Sequence, residues 1–188
     1  MNQFFSDYLQ NLHQAASALD SDKLDQLYNL IDAARRDGRQ VFVLGNGGSA
    51  ATSSHWVCDF AKGANVEGAR RLKIFAPVEN MSILTAYGND VSYDCVLSEQ
   101  MKNLLNPGDL VISMSVSGSS PNLLRAHELA QPLGCTCVSI IGDYNGKLKA
   151  CSDLVIEVPS RNYGIVEDIH LILGHMFSQC LKKSLEEA

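Results

Sequence analysis

Long apolar runs are missing from this 188-residue chain. Stretches such as Val41 to Leu44 and Val138 to Ile141 fall far short of the roughly 20 residues a membrane-spanning helix needs, which excludes a membrane partner. No secretory leader is evident either, so the chain is expected in the cytoplasm. Positive charge is also scarce. Fifteen Lys and Arg stand against 21 Asp and Glu, a formal net charge of −6, and a broad nucleic-acid surface needs a concentrated positive field. The six cysteines, Cys58, Cys95, Cys135, Cys137, Cys151 and Cys180, contain no CxxC pair. That argues against a zinc knuckle and a disulfide framework; most should be reduced, small, buried hydrophobes. Repeats, low-complexity tracts and interdomain linkers are absent too. What is present, 46% hydrophobic residues, suits one compact domain with a sizeable core.

Two stretches, Phe4 to Leu19 and Lys23 to Arg36, place apolar residues at helical spacing. Asp20 and Ser21 are candidate N-caps for the second, and Gly38 closes it, so residues 1–38 read as a helical hairpin. Short aliphatic runs then alternate with helical stretches: Gln40 to Leu44, Leu72 to Phe75, Leu110 to Met114, Thr136 to Ile141 and Leu154 to Val158. Strands lacking polar alternation are expected where helices cover both faces of a parallel sheet. The expected fold is therefore α/β: a three-layer α-β-α sandwich on a five-stranded parallel sheet, closed by a helix from about Gly164 to Leu185. Ligands of such sheets bind beyond the carboxyl ends of the strands.

Two loops stand at that edge. Gly45-Asn46-Gly47-Gly48-Ser49 follows a strand and opens a helix, where glycines let the backbone approach an anion and free N–H groups favour negative charge. It lacks the Lys-Ser/Thr ending of a Walker A loop and the usual dinucleotide spacing, so no nucleotide cofactor is expected. An ordinary strand-to-helix turn remains the plain alternative. Ser115-Val116-Ser117-Gly118-Ser119-Ser120 also follows a strand, and Ser119 or Ser120 can cap a helix begun by Pro121. Capping explains one serine and leaves the rest free to donate to phosphate oxygens. Two such loops on one edge suit a phosphate monoester; a pair of nucleotide-binding turns is the competing account.

These loops resemble those of the sugar isomerase (SIS) family, and within it the phosphoheptose isomerases. The same order continues in His55 with Asp59, Gly88-Asn89-Asp90, and Glu167-Asp168-Ile169-His170 followed by His175. The resemblance implies a single SIS domain over residues 1–188, with 1–38 serving oligomerisation and 39–188 forming the core. It implies interconversion of sedoheptulose 7-phosphate and D-glycero-D-manno-heptose 7-phosphate, in homotetramers whose sites are shared between subunits. It also implies substrate contacts from Asn46, Gly47, Gly48, Ser49, Asn89, Asp90, Ser115, Val116, Ser117, Ser119 and Ser120, chiefly to phosphate from the serine loop.

An aldose-ketose isomerase moves a proton between C1 and C2 through an enediolate, and so needs a base over the carbons and an acid or cation beside the oxygens. By resemblance, Asp59, His175 and Glu167 are catalytic, and His55, Asp59, Glu167 and His175 hold one divalent metal, zinc by donor type. His55 and Asp59, four apart, share a helix face; Glu167 and His175 are eight apart, about two turns. Two residues depart from the family: Asp59 stands for a glutamate and Glu167 for a glutamine. Tyr163-Gly164-Ile165-Val166 stands where an Asp-Arg pair is usual, and Ala64 follows Gly63 where an arginine is usual. Two other classes stay open: a non-catalytic SIS protein that binds a sugar phosphate or a protein, like the DnaA initiator-associating relatives, and an isomerase of a different sugar phosphate. His170 has no assigned role; Trp56 is expected in the core or between subunits. The Arg70, Arg71 and Lys73 cluster either meets the phosphate or covers a strand edge.

Overall fold

The computed structural model describes residues 1–187. Seven α-helices, α1 (Asn2–Ser17), α2 (Ser21–Asp37), α3 (Gly47–Cys58), α4 (Met81–Asp90), α5 (Ser98–Met101), α6 (Pro121–Ala130) and α7 (Tyr163–Glu186), surround five strands. The strands are β1 (Gln40–Leu44), β2 (Lys73–Phe75), β3 (Leu110–Ser115), β4 (Thr136–Gly142) and β5 (Leu154–Val158), all parallel, in the order β2-β1-β3-β4-β5. Each strand expected from its aliphatic run is present. Asp20 caps α2 through its carboxylate, accepting from the N–H groups of Asp22 and Lys23, and Gly38 ends it in the left-handed conformation.

Alternate strand residues feed two cores. Val41, Val43, Ile112, Met114, Val138 and Ile140 point to one face, where α1, α2, α3 and α7 cover them; Phe42, Leu44, Val111, Cys137 and Ile141 point to the other, beneath α5 and α6. β3, at the centre of the sheet, is buried along its whole length. The chain leaves β1 towards β2 and returns to add β3 on the other side, so the carboxyl ends of β1 and β3 flank a topological switch point. Their loops are the two glycine- and serine-rich segments.

One contact fixes the register of α3 on α7. The fully buried Trp56 donates its indole N–H to the carbonyl of His170 at 2.9 Å and packs against Phe60 and Phe177. Gly174 makes this approach possible, since a Cβ there would sit 2.3 Å from the indole nitrogen. Trp56 is thus a core residue. The cysteines divide differently from expectation: all six are free, but only Cys95, Cys135 and Cys137 are buried, with Cys58 and Cys180 exposed at helix surfaces. Arg70 lies at the opposite, amino-terminal edge of the sheet, where it donates to the carbonyl of Arg36 at the end of α2. That placement serves strand and helix ends, away from the phosphate loops.

Candidate functional site

The loops after β1 and β3 enclose a cavity of about 120 Å³. Asn46 and Ser49 line it from the first loop, Ser115, Val116, Ser117 and Ser120 from the second, and Tyr163 and Glu167 from α7. The two loops are tied together. The amides of Asn46 and Asn122 exchange hydrogen bonds at 2.9 and 2.8 Å, and the hydroxyl of Tyr93 donates to the same Asn46 oxygen at 2.9 Å. Asn46 sits at the N-cap position of α3 but its side chain is engaged here, so α3 begins without a side-chain cap. Ser120 likewise stands at the N-cap of α6 without a side-chain capping bond. Two uncapped helix starts converge on one small cavity, an arrangement that favours an anion.

Within the serine loop the hydroxyls have different duties. Ser115 Oγ accepts from the Gly118 N–H at 3.1 Å and shapes the turn. Ser119 Oγ accepts from the Lys147 N–H at 3.2 Å, which anchors the loop, and Ser119 does not line the cavity. Ser117 Oγ accepts from the Ser119 N–H at 3.4 Å and keeps its proton for a ligand, as does Ser120, whose hydroxyl has no partner among the described residues.

Glu167 enters from α7 and rests on the first turn of α3. A Cβ built on Gly48 would lie 2.3 Å from its carboxylate, so glycine is required there for this contact. Among the described residues Glu167 makes no hydrogen bond or ion pair with another side chain.

Two to three turns further along the packed pair α3 and α7 stands a second group. His55 Nε2 and His175 Nε2 are 3.0 Å apart, and Asp59 reaches both, Oδ1 at 3.5 Å from His55 and Oδ2 at 3.6 Å from His175. Their ligand atoms all lie within 4.8 Å of one another. Asp59 Oδ2 is buried and has no hydrogen-bond partner. A buried carboxylate oxygen without a donor is costly, and two imidazole nitrogens with one carboxylate are donors of the type zinc takes, so these residues fit a divalent ion. Asp59 opens a short π-helical turn, Asp59–Gly63, in which the N–H of Ala64 bonds back five residues to the Asp59 carbonyl at 2.8 Å. Such turns insert one residue into a helix and occur often at functional sites.

The sequence-derived set is therefore divided. His55, Asp59 and His175 come together in one group, and Glu167 lines the serine-loop cavity about two turns earlier on α7. Asn89 and Asp90, at the exposed end of α4, bond to each other at 2.8 Å and do not line the cavity of this chain. Gly47 shapes the loop, with φ at 55°, without lining the cavity. Asn122, Tyr93 and Tyr163 were missed. Asn122 directly after Ser120-Pro121 offered a signal, a polar residue in the first turn of a helix at the ligand edge; the two tyrosines offered none.

His170, left without a role, is fully buried between Ser49 Oγ, 3.3 Å from Nδ1, and the Ile140 carbonyl, 3.1 Å from Nε2. Burial pushes its pKa down to about 4, partly opposed by the Ile140 carbonyl, so the ring is neutral at pH 7. On the other side of the sheet His127 bridges Ser113 Oγ and the Cys151 carbonyl, both at 2.9 Å, and burial lowers its pKa as well.

A family model described as the SIS domain matches residues 3–142. The chain is 34% identical over 169 residues to a probable phosphoheptose isomerase of Thermoplasma acidophilum, covering 90% of this chain and 92% of that one. It is 37% identical over 153 residues to the phosphoheptose isomerase of Burkholderia pseudomallei, covering 81% and 77%. Among solved structures, the phosphoheptose isomerase of Neisseria gonorrhoeae superposes with a TM-score of 0.87 at 25% identity, over 97% of this chain and 96% of that one.

Proposed function

The chain belongs to the SIS domain family, and on that premise we propose that it interconverts sedoheptulose 7-phosphate and D-glycero-D-manno-heptose 7-phosphate by proton transfer between C1 and C2. The observation that carries this reading is the pairing of a phosphate-suited cavity with the His55, Asp59 and His175 group farther along the α3–α7 groove. Glu167 and His175 are separated by two turns of α7, about 12 Å of axial rise. That spacing suits a long sugar whose phosphate lies in the serine loop and whose C1 and C2 lie between Glu167 and the His55, Asp59 and His175 group.

In this reading Ser117, Ser120 and the starts of α3 and α6 hold the phosphate, and Asn46 and Ser49 meet the carbon chain. His55, Asp59 and His175 would hold a divalent ion, zinc by the donor set, which would polarise the substrate oxygens when bound. Glu167 is the carboxylate without a side-chain partner in the cavity, and we assign it the proton transfer between the two carbons. This shifts the base from Asp59, which is held between two imidazoles. Exposed apolar side chains on α1 and α7, Phe4 (67%), Leu9 (64%) and Met176 (51%), support a homotetramer built on the helical hairpin, with the whole chain as one SIS domain. Six free thiols, and no helix among the described residues long and apolar enough to cross a membrane, support a cytoplasmic location.

Incubating the purified protein in D₂O with sedoheptulose 7-phosphate and a panel of other ketose and aldose phosphates tests the reading. Deuterium should enter C1 or C2 of the heptose phosphate. Exchange confined to another sugar would move the substrate, and no exchange with any would sink the isomerase.

A further inference from the structure

Ser49 lines the cavity, yet its hydroxyl is already bound on the far side by the buried ring of His170. The direction of that bond follows from the ring's other contact. His170 Nε2 lies 3.1 Å from the Ile140 carbonyl oxygen, which can only accept, so Nε2 carries an N–H. A neutral imidazole has one N–H; Nδ1 therefore carries a lone pair and must accept. The group facing it is Ser49 Oγ at 3.3 Å, which must donate. Burial keeps the ring neutral at pH 7 and no acid contributes to its titration, so the doubly protonated form that would reverse this bond is not reached.

A hydroxyl has one proton. With that proton committed to Nδ1, Ser49 turns only lone pairs towards the cavity. We propose that His170 is a positioning residue that fixes Ser49 as a hydrogen-bond acceptor, so that Ser49 receives a hydroxyl of the sugar chain and repels the phosphate. The inference rests on the sugar-phosphate reading above and deepens it. Ser117 and Ser120, whose protons have no such claim on them, remain the donors for phosphate oxygens. Ser49 thereby sets which way round the ligand lies: a phosphate on the Ser49 side would place oxygen lone pairs against lone pairs, whereas a sugar hydroxyl there completes the chain from ligand to Ser49 to His170 to the Ile140 carbonyl. Such a chain of oriented groups has its direction set before the ligand arrives.

Two measurements decide it. Ring-nitrogen NMR of the full chain, ¹⁵N-labelled at histidine and free of ligand at pH 7, should show His170 protonated at Nε2 and unprotonated at Nδ1. An Nδ1–H tautomer, or a doubly protonated ring, overturns the proposal whatever the substrate proves to be. In the second, Ser49→Ala should weaken sedoheptulose 7-phosphate binding by about tenfold, the effect of one hydrogen bond, and raise KM with kcat within a few fold. The same variant should leave the Kd for inorganic phosphate unchanged within about twofold. Equal losses for both ligands would mean that Ser49 donates to phosphate, and no loss for either would mean that it is only structural; both overturn the proposal. Wild-type protein that binds inorganic phosphate but no heptose phosphate would count against the function proposed above, while the ring spectrum would still decide the tautomer.

Discussion

The carboxylate of Glu167 enters a cavity whose other walls are serine and tyrosine hydroxyls, the Asn46 amide, Met114 and Val116. It has no hydrogen bond or ion pair with another side chain among the described residues, which is why the proposed proton transfer is assigned to it. Glu167→Gln keeps the shape and removes the base. We expect kcat to fall by on the order of 10²–10⁴-fold with the Kd for sugar phosphate changed less than a few fold, checked by steady-state kinetics and titration calorimetry. Asp59→Asn separates the two carboxylates experimentally. It should weaken zinc binding by at least about tenfold in a competition titration, while leaving the melting temperature of the metal-free chain no lower, because the buried Oδ2 it alters has no partner to lose. Family resemblance offered both residues as catalytic and as metal ligands, without dividing the two roles between them. Spacing placed His55, Asp59 and His175 on packed faces, but whether Glu167 joined them depended on a tertiary fact: Gly48 has no side chain, and the carboxylate settles on it.

At the level of elements, the strands were legible because a doubly covered parallel sheet favours mainly aliphatic runs, and the caps of α2 because Asp20 and Gly38 are strong local signals. The π-helical turn at Asp59 was not, since it arises from how α3 ends against the core and no residue type announces it. The docking of α1 was equally hidden. Besides the packing of Leu12, Ala15 and Ala16, it uses Tyr8, whose hydroxyl donates to Asp168 Oδ2 at 2.7 Å; that bond, with burial and the charges of Asp168 and Glu167 adding, pushes the phenol pKa up to about 12. Tyr8→Phe should loosen α1 from the start of α7 and lower stability by about 1 kcal/mol in urea unfolding, leaving the centre of the sheet intact. Because Asp168 adjoins Glu167, the same variant should also reduce kcat modestly.

For the molecule as a whole, two buried histidines make stability depend on pH. His170 is held down to about 4 and His127 is lowered in the same direction, both chiefly by burial, while in the unfolded chain histidine titrates near 6.5. Between those values the unfolded state binds more protons than the folded one, so stability rises with pH across the window. The contribution is complete above pH 6.5 and is lost as pH falls towards 4, with His170 alone accounting for about 3 kcal/mol. Urea midpoints measured at pH 7, 6, 5 and 4.5 should fall progressively. A flat profile would show that neither histidine stays neutral in the fold. The two rings sit on opposite faces of the central strands, so their protonation would loosen both layers together.

The reciprocal amide bond between Asn46 and Asn122 has a consequence for how this chain can change over generations. Each amide supplies the acceptor for the other's donor, so altering either one strands its mate inside the site, and the harm of the first change depends on whether the second has occurred. The two positions, 76 residues apart, behave as one heritable unit. A double-mutant cycle that replaces both by leucine should find the second replacement cheaper than the first. Relatives that have abandoned one asparagine are expected to have abandoned both, a signature that can be sought in any collection of homologous sequences without solving another structure.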